Sequence, residues 1–290
     1  MNHNPDDLIQ WLCHSHPDTV VEEVIDKLDD GIAIETLWAA GALTAARYVS
    51  NQARNLLGFV SHAMIGCEDA RQAAVGQPEH IQRLLLIQAL TQVVVDLHDP
   101  CFAPYELIDV WGIDESSPEE SIAQLRNDVK FGEWLRADHR LVGLERTIPR
   151  DDLIDVILDI GLEGIVTDDH TLITPSLSMD MMELTGWDAG FPMLRGTMRY
   201  SCTFPRNLAP YAHATELVSH HGLENGPVEG PRDEASAATL RHTLLQAPAE
   251  ERPEIVARAL AGDNMTAETV MSALSLAACS ANAVASCTSF

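Results

Sequence analysis

Basic charge is what this sequence has least of. Eighteen Lys and Arg stand against 44 Asp and Glu in 290 residues, a formal net charge of −26. Only Lys27 and Lys130 are lysines. Such a field repels phosphate backbones and anionic membrane surfaces, and no basic stripe compensates it, which excludes nucleic acid as a partner. Aromatic residues are scarce too, at 5%, while Ala and Leu abound, a balance that suits closely packed helices better than sheets. Long apolar runs are missing. The most apolar stretch, IQRLLLIQALTQVVVDL from Ile81, is interrupted by Arg and Gln and predicts a buried helix, not a membrane span. The opening residues MNHNPDDLIQWLCHSHPD have no basic n-region and no long apolar segment, so a cytoplasmic location is expected. Six cysteines without C-x-x-C spacing then read as reduced, small core residues. Also absent are G-x-G-x-x-G after a strand, G-x-x-x-x-G-K-[ST], H-E-x-x-H, G-x-S-x-G and C-x-x-C-H, which leaves standard nucleotide, zinc-protease, serine-hydrolase and c-type haem readings without support.

What is present is apolar periodicity. Hydrophobic residues make up 46% of the chain, enough for a sizeable core, and the period of 3.6 predicts an all-α helical repeat or bundle forming one domain over residues 1–290. Helices are expected from Pro5 to His14, after Asp18, over Ile34–Arg47, Phe59–Ala73 and Pro78–Leu97, with a less regular polar stretch at Asn51–Leu57. The Asp99-Pro100 pair stops the long helix. Residues 99–122 read as loop, Glu119–Ala137 as one helix, and Pro149-Arg-Asp-Asp152 as a helix start with acidic residues near the positive end of the dipole. Further helices are expected from His170, from Phe191, and over Ala237–Gln246, Arg252–Ala261 and Thr266–Ala278. Residues 222–236 are rich in Gly, Pro and Glu and predict a flexible loop.

Two stretches share one pattern, and a third begins it. An apolar helix, a polar joint and a His at the first turn of the next helix occur at about 30–100 and again at about 150–202. The first copy carries about seven extra residues near SNQARNL. A partial third copy from about 264 to 290 matches the opening helix and ends without a His. His62 and His170 are therefore equivalent residues 108 apart, and equivalent residues of repeats face one another across a pseudo-symmetry axis. Convergence on one cavity would make them catalytic acid/base groups, or ligands of a metal with a carboxylate completing the shell. The carboxylates nearest in sequence are Glu68 and Asp69 beyond His62, with Asp69 on the same helix face, and Asp168 and Asp169 before His170. The metal set expected from this reading is His62, His170, Asp69 and Asp169, with non-haem iron the first guess, or no metal at all. Each residue has a plainer alternative. Asp168 or Asp169 serves equally well as a helix cap, and the histidines as hydrogen-bonded core residues. His98 at a helix C-terminus fits the dipole, His139 stays open between site and surface, and His220-His221 read as an exposed pair. Arg47, Arg54, Arg195 and Arg199 either bind an anionic substrate or pair with the excess carboxylates.

One resemblance follows from these residues. The stretch ADHRLVGL…DDLIDVILDIGLEGIVTDDHTLITPSLSMDMMELTGWDAGFPMLRGTMRY resembles the helical unit of questin oxidase-like proteins and their bacterial relatives, in which an acidic helix precedes a His-led helix, then Gly-Trp, Pro and Leu-Arg. Here those are His170, Gly186-Trp187, Pro192 and Leu194-Arg195. LWAAGALTAARYV…GFVSHAMI is similar to the preceding unit, with His62 in place. The resemblance covers about residues 30–200. It implies a helical fold and an O2-dependent oxidase or oxygenase of secondary metabolism, acting on a small aromatic or enolisable substrate. That family's C-terminal helix carries a His before a Val-Thr-Ser-like segment, whereas this chain reads ANAVASCTSF without one. The alternative reading is a non-catalytic helical scaffold or small-molecule binding protein. The truncated third copy leaves an apolar end that a second subunit would cover, which predicts a homodimer.

Overall fold

The computed structural model describes residues 5–50, 61–113, 115–203, 206–263 and 265–287, with side chains up to residue 280. Among the described residues every regular element is helical, as the composition predicts. Ten helices form a compact unit spanning residues 1–207: α1 (Pro5–His14), α2 (Val20–Asp29), α3 (Ile34–Tyr48), α4 (Ala63–Ala74), α5 (Glu79–His98), α6 (Pro118–Lys130), α7 (Trp134–Thr147), α8 (Arg150–Gly164), α9 (His170–Thr185) and α10 (Trp187–Ser201). Residues 208–290 form a second unit: α11 (Ala209–His220), α12 (Glu234–Gln246), a 3-10 turn at Ala249–Glu251, α13 (Arg252–Ala261) and α14 (Ala267–Cys287). The chain read from sequence as one domain thus divides by its own packing into two units. The polar stretch at Asn51–Leu57, including Arg54, lies outside the described residues.

Local chemistry explains most boundaries. Ser117 caps α6 by accepting from Glu120 N at 3.2 Å, with Pro118 in the first turn, where a missing N–H is harmless. The single helix expected over Glu119–Ala137 is instead α6 and α7, because Gly132 takes φ +75°, a left-handed turn that a helix cannot pass through. Gly186 at φ +74° similarly divides α9 from α10. In the second unit Asp233 caps α12 by accepting from Ala235 N and Ser236 N, so the loop predicted to reach residue 236 ends three residues sooner. The partial third copy falls on α14, whose neighbours within the second unit are α12 and α13.

The two His-bearing copies are each three consecutive helices, α3–α4–α5 and α8–α9–α10, with neighbours in sequence packed as neighbours in space. In each opening helix a glycine permits close approach. A Cβ on Gly41 would overlap Leu90 of α5, and one on Gly161 would meet the Thr171 carbonyl of α9. Contacts between the copies share one offset. His62 meets His170, and Gln72 donates to Asp180 at 3.0 Å, both 108 residues apart. Two contacts ten residues apart with the same offset mean that α4 and α9 run parallel and in register.

The core of this unit is apolar, with Leu37, Leu86, Leu90, Leu125, Leu141, Leu144, Leu153, Ile157 and Ile160 fully enclosed, and it surrounds an ionic node centred on Asp138. Asp138 on α7 accepts from Arg195 at 2.8 and 2.9 Å and from Arg199 at 2.8 Å through its Nε. Arg195 also donates to the Ile108 carbonyl, and Arg199 to the Tyr105 hydroxyl at 3.1 Å, so the node ties the segment 99–117 to α7 and α10. The arginines suggested by sequence as anion binders are therefore committed: these two to Asp138, and Arg47 to Asp6 at 3.5 Å. Replacing Asp138 by Asn would leave two buried guanidinium groups without a counter-charge. The expected loss is about 3–5 kcal/mol of stability, read from urea unfolding; a loss under about 1 kcal/mol would show the node to be dispensable.

Candidate functional site

His62 and His170 meet where the N-termini of α4 and α9 lie side by side. Their Nε2 atoms are 3.2 Å apart and their rings stand edge to face, with centroids 5.2 Å apart. His62 is exposed and is the residue that precedes α4; His170 is half-buried and begins α9.

A hydroxyl–carboxylate pair lies beside each histidine: at His170 the carboxylate bonds the ring, whereas at His62 the pair begins at the neighbouring residue in sequence. Behind His170 the nearby group is the carboxylate. Asp168 Oδ1 accepts from His170 Nδ1 at 2.8 Å and from the His170 backbone N at 3.0 Å. Its Oδ2 accepts a short hydrogen bond from the hydroxyl of Tyr200, which arrives from α10. Beside His62 the nearby group is the hydroxyl. Ser61 Oγ donates to Asp96 Oδ2 of α5 at 2.6 Å and accepts from Ala63 N at 3.1 Å, and Gln92 donates to Asp96 Oδ1 at 2.7 Å. The third helix of each copy thus supplies the outer partner.

The two carboxylates are tuned in opposite directions. Burial raises the Asp168 carboxyl, but hydrogen bonds from Tyr200 and from the His170 ring and backbone outweigh it and hold the group below its ordinary 3.8. Burial also dominates at Asp96 and is only partly offset by Ser61, Gln92 and the neighbouring His62, so that carboxyl lies above its ordinary value. Tyr200 is raised by burial first and by the adjacent Asp168 carboxylate second, which keeps the phenol protonated.

These roles assign the protons. An ionised Asp168 only accepts, so His170 Nδ1 carries the hydrogen and a neutral His170 presents a bare Nε2. In that tautomer the hydrogen of the Nε2–Nε2 contact is donated by His62. No hydrogen-bond partner of His62 Nδ1 is present among the described residues.

The carboxylates proposed from sequence as metal ligands do not join the paired nitrogens. Asp69 lies seven residues along α4 from His62, about 10 Å down the axis at 1.5 Å per residue. Asp169 approaches His170 on its Nδ1 side, at 3.2 Å, away from His62. Asp168, Asp169 and His170 do form a small ligand-like cluster, but it uses the same Nδ1 edge. A separation of 3.2 Å suits two nitrogens sharing one ion at bond lengths of about 2.1 Å. The histidines therefore fit a metal, while the set of two histidines and a carboxylate expected for iron is not assembled among the described residues. Three further histidines have partners elsewhere: His98 with the Val94 carbonyl at 2.9 Å, His139 with the Trp111 carbonyl, and His221 with Glu254 at 3.1 Å.

Sequence reasoning singled out both histidines and placed Asp169 in the metal set, but left Asp168 out of it, with no role beyond that of a helix cap. Ser61, Asp96 and Tyr200 were missed; apart from Ser61, adjacent to His62, they lie 30 or more residues from the histidine they serve and carry no motif. Compared with protein-family models, curated proteins and solved structures, the chain matches none.

Tyr200→Phe tests the Asp168 arm. A group with a depressed folded pKa contributes stability above its unfolded value, and that contribution is lost as pH falls through the folded value. The variant should be less stable than the parent at pH 7 by about 1–3 kcal/mol, and the gap should close as pH falls below 3.8. A gap independent of pH in urea unfolding would mean that Tyr200 stabilises by packing alone.

Proposed function

We propose that this protein is an oxidoreductase in which His62 and His170 remove a proton from a small, weakly acidic substrate, a phenol or an enol, so that O2 can oxidise the resulting anion. The observation that carries this reading is the Nε2–Nε2 contact of 3.2 Å backed by Asp168 on the far side of His170. Substrate gives its O–H proton to Nδ1 of His62. The Nε2 proton of His62 passes to the bare Nε2 of His170, and the Asp168 carboxylate stabilises the imidazolium that forms. The hydroxyl of Tyr200 holds Asp168 in its accepting form. A carbon of the substrate anion forms a bond to O2, giving a peroxide anion, and the proton kept on His170 returns to it, so that the product is the substrate hydroperoxide. The choice of oxidation among the reactions that such a base starts rests on the resemblance to questin oxidase-like proteins.

A second reading has its own observation. The same 3.2 Å spacing suits a transition metal held by His62 and His170, which would supply a Lewis acid for substrate or O2. Asp168 would then orient His170 through Nδ1, as carboxylates behind metal-bound histidines do.

The deciding experiment combines metal analysis of untagged, chelator-free protein with O2 uptake on a panel of hydroxyanthraquinones, simple phenols and 1,3-diketones, using His62→Ala and His170→Ala alongside. The expected result is uptake with at least one substrate, metal well below one equivalent, and a fall of about 10²- to 10⁴-fold in each variant with the melting temperature little changed. Stoichiometric iron lost from both variants would replace the relay with the metal reading. Variants that unfold, in a protein that consumes no O2, would leave a scaffold whose histidines are structural.

A further inference from the structure

The second unit is under-filled. Its enclosed core among the described residues is Ala237, Leu240, Leu244, Ala259, Val270 and Ala273, and α11 buries no residue at all. Its helices nevertheless carry apolar faces at helical spacing: Ala214 and Val218 on α11, Val256 and Leu260 on α13, Leu274 and Ala278 on α14. All six line one cleft of about 1030 Å³, at the upper end of the ~300–1,000 Å³ typical of small-molecule sites. Water gains little there, because a bound water needs two or more polar partners and the walls are mostly aliphatic. An apolar occupant would bury those walls and release that water.

Charge says what the occupant's other end is. Residues 208–290 hold ten Asp and Glu against four Arg and no Lys, yet none of those carboxylates lines the cleft. The one charged residue that does is Arg252, the exposed first residue of α13. Its Nε donates to the Ala247 carbonyl at 3.2 Å, and no carboxylate lies within ion-pair distance of it among the described residues. An aliphatic interior with a single guanidinium at its rim suits an amphipathic monoanion.

We infer that the second unit binds a long-chain aliphatic carboxylate, its chain between α11, α13 and α14 and its head at Arg252.

The test uses the full chain and 11-(dansylamino)undecanoic acid, followed by fluorescence, with dodecanoate and dodecanol as competitors. Expected are saturable binding near one equivalent, displacement by dodecanoate, and weaker displacement by dodecanol. Arg252→Glu should weaken dodecanoate by about tenfold to a hundredfold and change dodecanol by less than about threefold. Val256→Trp, or Ala278→Trp should the first not fold by circular dichroism, should abolish both. No saturable binding at micromolar probe would overturn the inference, as would equal affinities of acid and alcohol untouched by Arg252→Glu. A wild-type dimer that Ala278→Trp converts to monomer, with no probe bound by either, would assign the cleft to a second copy instead.

Discussion

The 108-residue offset shared by His62–His170 and Gln72–Asp180 fixes how α4 and α9 lie against each other, and the histidine site exists only because of that alignment. Were the two helices antiparallel, the first residue of one would lie beside the last turn of the other, and the imidazoles would be separated by a helix length. The Gln72 amide holds the far end of the pair, donating both to Asp180 and to the buried Glu68 at 3.1 Å, which also takes both Arg71 contacts. A one-residue slip would turn each side chain by about 100° around its axis and break the histidine contact. The packing on the outer sides of both helices, α3 and α5 against α4, α8 and α10 against α9, resists such a slip.

Equivalent placement does not make the two histidines chemically alike. A carboxylate directly on Nδ1 makes His170 an acceptor at Nε2, and the pair therefore needs a donor opposite. His62 has no such tether, because the residue next to it is Ser61 and its carboxylate is one step removed on Asp96. Exchanging hydroxyl and carboxylate between the copies thus converts a symmetric scaffold into a directional one, with an exposed ring at one end and a half-buried, charge-stabilised ring at the other. Two identical arms would leave two lone pairs or two protons in opposition at 3.2 Å, and either arrangement is repulsive. Divergence between the copies is what makes so close a contact tenable.

How much of this was legible in the sequence depended on range. Helices and their ends follow from local signals such as Ser117-Pro118, Asp99-Pro100 and the acidic turn at Asp151-Asp152, and the all-α class follows from composition. The pairing of His62 with His170 was legible because both copies place a histidine after the same pattern of apolar helix and joint. Gly132 was the local signal passed over: an isolated glycine in a helical pattern is often tolerated, and only the backbone angle shows that it breaks this one. Asp69, about 10 Å along α4 from His62, shows the difference between a shared face and a shared site. Sharing a helix face at i, i+7 is a statement about angle around the axis, while ligation demands closeness along it. Asp96 and Tyr200 were illegible because they reach the site through tertiary packing of a third helix, at offsets set by loop lengths and not by any period. The division at residue 207 was likewise hidden, since the short connection between α10 and α11 resembles the loops inside each unit.

The electrostatics of the site narrow the kind of molecule it suits. Asp168 and Asp169 lie against His170, and among the described residues no arginine is within ion-pair distance of Asp168, Asp169 or Asp96. Arg195 and Arg199 are consumed by Asp138 and Arg71 by Glu68. A second negative charge brought to within about 4 Å of an ionised carboxylate is opposed by roughly 4 kcal/mol at an effective dielectric constant near 20. A substrate arriving as an anion would meet that opposition on entry. One arriving as a neutral acid would not, and on losing its proton it would sit beside an imidazolium that cancels the new charge. Under the proposed reading, the arrangement would favour substrates that are neutral in solution and ionise only at the site, a preference that fits phenols and enols better than carboxylates or phosphates.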